Sequence, residues 1–191
     1  FEKKIKDVND SIANSETGWQ DSADYDINDH VPYKLTAKLP GDVTSYKKYH
    51  VTFEDQMEST LTFDKDSVRV ELNGTSVDAK DYTLTPDLVD PEHKFTVRLD
   101  WAGEGDANIA DTALNDATVD VYFTATLNST AKLGKRGNVN AAKLVYGNTY
   151  GADNVEREGE LPWDYVIAFT YKVDVNKVDQ DNKPVTGAEL D

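Results

Sequence analysis

Apolar and polar residues alternate along most of this chain, which is the pattern of β-strands that bury one face. The clearest run has Val119, Val121, Phe123, Ala125 and Leu127 separated by polar residues. Side chains of a strand point to opposite faces in turn, so each such run predicts a half-buried strand. Similar runs occupy 1–8, 31–39, 49–55, 60–63, 68–72, 82–84, 95–101, 138–148 and 165–175. Some eight or nine strands with turn residues between them predict an all-β, antiparallel, two-sheet sandwich.

The segments between these runs set the boundaries of the fold. Asn73-Gly74 is a strong hairpin signal. Residues 9–30 are polar and predict a long loop, and 102–118 read as a loop insertion with a helical turn at 109–114. After Val175 the alternating pattern of the strands ends. We therefore expect one domain at 1–175, followed at 176–191 by a linker and the first strands of a second domain, which are too short to fold alone.

Composition excludes several classes of function. The 191 residues carry 36 acidic and 20 basic side chains, for a net charge of −16, which disfavours binding to nucleic acid or anionic lipid. The absence of cysteine excludes disulfides and thiolate metal sites. No apolar run is long enough for a membrane span. The start at Phe1 suggests a fragment of a longer protein, with any export signal or anchor outside it.

Strand parity places three chemically useful groups among apolar side chains. Lys3 lies between Phe1 and Ile5, and Asp55 continues the face of the 49–53 strand. Asn148 shares the face of the apolar residues at 142–146. Burial disfavours the charged forms of lysine and aspartate, so the amine becomes a nucleophile and the acid a proton donor. These groups predict an intramolecular isopeptide bond between Lys3 and Asn148, with Asp55 as the catalytic acid.

Other chemistry has little support in the sequence. His30, His50 and His93 lack a zinc-binding spacing. The aspartates of the insertion, Asp106, Asp111 and Asp116, are spaced five apart, which is not a calcium-loop pattern. No nucleotide-binding or hydrolase motif is present. We expect no cofactor, no metal and no enzyme turnover beyond the single self-linking reaction.

An ordered set of motifs resembles a known family. The set comprises 2–7 (EKKIKD), 25–37 (YDINDHVPYKLTA), 49–55 with Leu61-Thr62-Phe63, and 137–140 with 144–148 (LVYGN). It resembles the middle, isopeptide-forming domain of Gram-positive sortase-assembled backbone pilins, which is similar to the immunoglobulin-like A-type repeat of collagen adhesins. Residues 175–179 and 184–188 resemble the opening of a B-type domain.

The resemblance implies roles for individual residues. Lys3 matches the linking lysine, Asp55 the acid and Asn148 the linking asparagine, while Lys4 remains an alternative donor and Asp26 or Asp29 an alternative acid. Lys177 matches the linking lysine of the following domain, and we expect it to be unbonded here. The pilin motif and the sorting signal are both missing.

The implied function is structural. We expect an extracellular domain of a cell-wall-anchored pilus, joined covalently to neighbouring pilin subunits through other domains and contacting a host surface protein or glycan. One alternative is an adhesin domain with a ligand site on the 102–118 insertion or around Trp19. A carbohydrate-active enzyme is a third hypothesis, although no carboxylate pair stands out among the acidic residues.

Overall fold

The computed structural model describes residues 1–9, 15–46, 48–102, 112–149 and 157–172. The tail at 176–191, and with it Lys177, lies outside these residues. Two β-sheets face each other. The first has the strand order β2-β1-β4-β10-β6-β7. Its strands are β1 (Glu2–Asn9), β2 (Ser15–Gln20), β4 (His30–Lys38), β6 (Leu61–Leu72), β7 (Thr75–Ser76) and β10 (Thr118–Leu127).

The second sheet has the order β3-β13-β11-β5-β9-β8, with β12 paired to the far end of β11. Its strands are β3 (Ser22–Asp24), β5 (Lys48–Met57), β8 (Thr83–Pro86), β9 (Lys94–Ala102), β11 (Asn138–Thr149), β12 (Glu158–Glu160) and β13 (Asp164–Phe169). All strand pairs are antiparallel except β3 with β13. In the described ranges the helical structure consists of three short 3₁₀ turns, at 43–45, 112–114 and 134–136.

The inner faces of the two sheets form one hydrophobic core. Strand β10 alternates buried and partly exposed positions without a break, as its sequence predicts. Rings from both sheets meet there: Phe63 stacks on Phe95 with centroids 3.9 Å apart, and Phe123 packs edge-on to Phe95 at 4.9 Å. The prediction of an all-β, immunoglobulin-like sandwich is confirmed. No helix in the described segments is long and apolar enough to cross a membrane.

The polar segment predicted as a loop at 9–30 contains two strands instead. Strand β2 pairs with β1 at the edge of the first sheet, and β3 pairs with β13. An edge strand needs no strict alternation, because its outer side is open to solvent, and this explains the weak sequence signal. The ring of Trp19 on β2 lies 5.9 Å from the ring of Tyr122 on β10.

Two other boundaries differ from the sequence prediction, and a third prediction falls largely outside the described residues. The runs at 60–63 and 68–72 belong to one strand, β6, in which residues 65–68 form an irregularity between Asp64 and Arg69, the two positions at which pairing with β10 stops and resumes. Strand β13 ends at Phe169, well before Val175. Most of the predicted insertion, including Asp106 and Asp111, lies outside the described residues. Asp116, at its end, pairs with Lys38 at 3.1 Å.

Candidate functional site

Strand β1 carries Lys3 into the space between the sheets. The alternation of β1 turns Lys3 and Ile5 inward, and both are fully buried. Lys3 lies opposite Leu35 of β4. Its backbone N–H donates to Oδ2 of Asp164 at 2.8 Å, so this position contacts the start of β13 in the other sheet as well. The Lys3 side chain is therefore held at the seam between the two sheets.

Strand β5 supplies the acid from the opposite sheet. Asp55 lies between Phe95 of β9 and Ala142 of β11, with its side chain directed inward. The Lys3 Nζ lies 2.5 Å from Oδ2 of Asp55, and both side chains are completely buried. Two of the three predicted site residues are thus brought into direct contact.

Burial sets the electrostatics of this pair. Desolvation lowers the pKa of Lys3, although the charge and hydrogen bond of Asp55 and the charge of Asp164 act in the other direction. Desolvation also raises the pKa of Asp55, against the influence of Lys3 and Asn140. Both shifts act against the ion pair and toward the neutral amine and the neutral acid. The 2.5 Å contact gives the proton a direct path between them.

The asparagine beside this pair is Asn140. It is fully buried on the inner face of β11 and lies opposite Met57, which makes it a diagonal neighbour of Asp55. Its carboxamide is close enough to Asp55 to influence the pKa of that acid. The geometry of this contact nevertheless falls short of a hydrogen bond: among the described residues, neither polar atom of Asn140 has a well-oriented hydrogen-bond partner, and neither has Oδ1 of Asp55. Such buried polar groups are costly and need an explanation.

Asn138 shows what a structural asparagine looks like on the same face of β11. It is also fully buried, but its Oδ1 accepts the N–H of Lys132 at 2.8 Å. Its Nδ2 donates to the carbonyl oxygens of Ala168 at 3.0 Å and Lys132 at 3.3 Å. Asn138 fastens the preceding loop to β13. Asn140, two residues later, makes no such hydrogen bonds to a loop or a neighbouring strand of the described structure.

The structure does not bring Asn148 to the pair. The register of β11 places Asn148 opposite Tyr49, six residues along β5 from Asp55. At about 3.3 Å per residue the separation is roughly 20 Å. Strand parity predicts the face on which a residue lies but not its position along the strand. Asn140 has the same parity as Asn148, and this was the available signal for it.

The second candidate donor and the two further candidate acids lie away from the buried pair. Lys4 is on the outer face of β1, where its Nζ lies 2.7 Å from Asp21 and 3.0 Å from Glu2. The hydrogen bond to Asp21 is the main reason that its pKa is raised. Asp26 is exposed, and Asp29 accepts the backbone N–H of Asp26 at 2.9 Å in the turn before β4.

Aromatic rings enclose the Lys3 amine. Its Nζ lies 5.1 Å from the ring centroid of Tyr33 and 5.2 Å from that of Phe123. The two rings stack on each other at 5.2 Å. Tyr33 is fully buried, yet its hydroxyl has no hydrogen-bond partner within the described structure. Sequence reasoning missed Tyr33, because a tyrosine at an inward strand position is indistinguishable from an ordinary core residue.

The fold and site together define an immunoglobulin-like sandwich with a lysine–aspartate pair and an unpartnered asparagine sealed in its core. No family model matches the chain. A trypsin-resistant surface T6 protein of Streptococcus pyogenes serotype M6 is 27% identical to it over 171 residues, which cover 82% of this chain and 30% of that protein.

Solved structures of pilins share the fold. A 35 kDa C-terminal fragment of the major pilin of Streptococcus agalactiae has a TM-score of 0.67 at 20% identity, covering 96% of this chain and 59% of the fragment. The T6 backbone pilin of Streptococcus pyogenes has a TM-score of 0.60 at 22% identity, covering 95% of this chain and 38% of that pilin. The chain thus spans less than two thirds of each relative. The predicted resemblance to Gram-positive backbone pilins is confirmed.

Proposed function

We propose that this chain is a structural domain of a Gram-positive surface pilus, stabilised by an intramolecular isopeptide bond between Lys3 and Asn140, with Asp55 as the acid. The observation that carries the bond is the 2.5 Å contact of Lys3 with Asp55 in the buried interior, beside a carboxamide with no partner among the described residues. The pilus assignment rests on the relatives, which are named as a surface protein and as backbone or major pilins.

The reaction needs only these three side chains. The ammonium of Lys3 gives one proton to Oδ2 of Asp55, and the neutral amine attacks Cγ of Asn140. Asp55 relays a proton from the attacking nitrogen to the amide nitrogen, which leaves as ammonia. A bond forms between Nζ and Cγ, and the bond from Cγ to Nδ2 breaks. Asp55 keeps the remaining proton and ends neutral, as its raised pKa favours.

The bond would replace a buried amine with an amide and would close a very long loop. Residues 3 and 140 are 137 positions apart. Removing the freedom of such a loop from the unfolded chain stabilises a protein by about 5 kcal/mol in the chain-entropy model. An amide, unlike a disulfide, resists reduction.

The assembly around this domain is part of the same proposal. The domain would lie outside the cell in a cell-wall-anchored pilus, with neighbouring subunits linked covalently through other domains. Contact with a host surface protein or glycan would belong to the whole pilus. The alternative of an adhesin domain with a ligand site around Trp19 has little support, because the Trp19 ring already packs near Tyr122 and the Lys6 amine of its own sheet.

Intact mass under denaturing, reducing conditions tests the bond. We expect wild-type protein to lack the mass of one ammonia, and Lys3→Met, Asp55→Ala and Asn140→Ala to show their full masses. Asn148→Ala is the matched control, since it removes an asparagine of the same strand and should leave the deficit in place. A wild-type chain of unmodified mass would contradict the proposal. A deficit lost in Asn148→Ala but kept in Asn140→Ala would return the linking role to Asn148.

A further inference from the structure

Burial of the Tyr33 hydroxyl without a hydrogen-bond partner destabilises the fold. The side chain is fully buried, and the hydroxyl has no partner among the described residues. A buried hydroxyl without a hydrogen bond costs about 1–3 kcal/mol, whereas phenylalanine would fill the same space without that cost. The ring already has a packing role, since it stacks on Phe123. The hydroxyl therefore needs a separate explanation.

The surroundings of the hydroxyl point to the linking reaction. Tyr33 lies on β4 opposite Ile5 and Phe123, and its ring is one of the two that enclose the Lys3 amine. Burial and then the charge of Asp55 raise its pKa well above the usual tyrosine value, so the phenol stays protonated. The residues around the Lys3–Asp55 contact thus carry four buried polar atoms without a hydrogen-bond partner in the described structure: the Tyr33 hydroxyl, Oδ1 of Asp55, and both polar atoms of Asn140.

We propose that the Tyr33 hydroxyl donates a hydrogen bond to Oδ1 of Asn140 as that oxygen gains negative charge during attack by Lys3. This inference rests on the proposed Lys3–Asn140 bond. Attack of Nζ on Cγ moves the electron pair of the carbonyl bond onto Oδ1. When the pair returns, the bond from Cγ to Nδ2 breaks and ammonia leaves. Tyr33 keeps its proton throughout, so the atoms balance as in the three-residue reaction.

Asp55 is a less suitable acceptor for this hydroxyl. A hydrogen bond from Tyr33 to Oδ1 of Asp55 would stabilise the carboxylate and oppose the proton transfer that frees the amine. The described structure has no such bond, since both atoms are without partners. A donor that is idle before the reaction and engaged only as charge develops lowers the barrier selectively.

The test is the rate of ammonia loss in newly made protein. Wild-type chain and Tyr33→Phe are synthesised in a short pulse in a cell-free system, and intact mass is followed over time after folding. Loss of one donor to a developing oxyanion typically slows a reaction by about 10²-fold or more, and we expect a slowing of that order. Tyr49→Phe is the matched control, because Tyr49 is also a buried tyrosine of the core but lies six residues from Asp55 on β5.

A second variant separates the hydroxyl from packing. Tyr33 replaced site-specifically by 3-fluorotyrosine keeps a hydroxyl of lower pKa and should link at least as fast as wild type. Fully linked Tyr33→Phe, once formed, should unfold at or above the wild-type temperature, because the donor acts on the rate of linking and its removal also removes the cost of a buried hydroxyl without a partner.

The outcomes distinguish this inference from the proposed function. Linking at the wild-type rate in Tyr33→Phe would overturn the role of Tyr33 and leave the Lys3–Asn140 bond intact. Slow linking in both Tyr33 variants would indicate a packing effect and would also overturn it. A wild-type chain that never loses ammonia would overturn both proposals.

Discussion

The two faces of strand β1 give consecutive lysines opposite properties. Lys3 and Lys4 are each paired with an aspartate, at 2.5 Å and 2.7 Å, so their contacts look alike. Lys3 is fully buried and its pKa is lowered by desolvation, whereas Lys4 is partly exposed and its pKa is raised, mainly by its hydrogen bond to Asp21. Burial and not pairing therefore separates the two lysines. This difference in burial is the reason that Lys3, and not Lys4, is the donor in the proposed bond.

The largest expected effect comes from removing the buried lysine. Lys3→Met prevents the proposed bond, which is worth about 5 kcal/mol, and leaves Asp55 buried without a cation. Breaking a buried pair on one side typically costs about 3–5 kcal/mol more, reduced here if Asp55 takes up a proton. We expect the free energy of unfolding, measured in urea, to fall by more than about 5 kcal/mol. A loss no greater than that of Lys4→Met would contradict the distinction between the two faces.

Asn140→Ala should have the next largest effect. This variant keeps the Lys3–Asp55 pair and removes only the carbonyl that the amine would attack, so the expected loss is about 5 kcal/mol. The difference between Asn140→Ala and Lys3→Met then measures the cost of the unpaired acid. Asn138→Ala is not a suitable control because it breaks three hydrogen bonds, whereas Asn148→Ala should unfold like wild type.

The pH dependence of Lys3→Met should report the buried acid directly. Removal of Lys3 removes the two largest interactions that lower the pKa of Asp55, so desolvation, which raises this pKa, is opposed only by Asn140. A pKa raised in the folded state gives stability that is fully present below the unfolded value of about 3.9 and is lost as pH rises through the folded value. Lys3→Met should therefore be more stable near pH 4 than near pH 7, relative to Lys3→Met/Asp55→Asn.

Urea unfolding of both variants across this pH range is the measurement. The double variant carries the same remaining carboxylates, so their titration cancels in the comparison. Each unit by which folding raises the pKa contributes about 1.4 kcal/mol to the difference. If the difference in free energy of unfolding between the two variants does not change with pH, Asp55 is ionised in the folded protein even without Lys3.

The smallest effect is expected on the outer face. Lys4→Met removes contacts to Asp21 and Glu2 that are largely open to solvent. Pairs of this kind contribute about 0–1 kcal/mol and are screened by salt. The loss should shrink further between low salt and about 1 M sodium chloride in the same urea assay. A fall of several kcal/mol in the free energy of unfolding of Lys4→Met would show that the outer face of β1 also contributes strongly to stability.

The sequence predicts most of this fold because alternation is a local signal. The faces of β10, the inward parity of Lys3 and Asp55, and the Asn73-Gly74 turn, where both residues have positive φ, follow from neighbouring residues alone. The edge strand β2 does not, since its polar sequence lacks the apolar alternation that reveals the other strands.

The asparagine of the proposed bond shows the limit of that signal. Asn140 and Asn148 lie on the same strand with the same parity, and only the pairing of Ala142 with Asp55 places Asn140 beside the acid. Register of this kind depends on residues nearly ninety positions away in the sequence. The sequence also could not predict the role proposed for the Tyr33 hydroxyl, because its lack of a hydrogen-bond partner is a property of the packed interior and not of the strand pattern.

The position of Lys3 at the very start of β1 limits how far the domain can be stretched. With the proposed bond in place, a pull between the first residue and Lys172 bypasses the chain from residue 3 to residue 140. Only the 32 residues beyond Asn140 can then unravel, which corresponds to an extension of about 110 Å at the reach of an extended chain. Without the bond the same pull could draw out more than 170 residues, or about 580 Å. A single amide near one end would thus turn most of the sandwich into an almost inextensible segment.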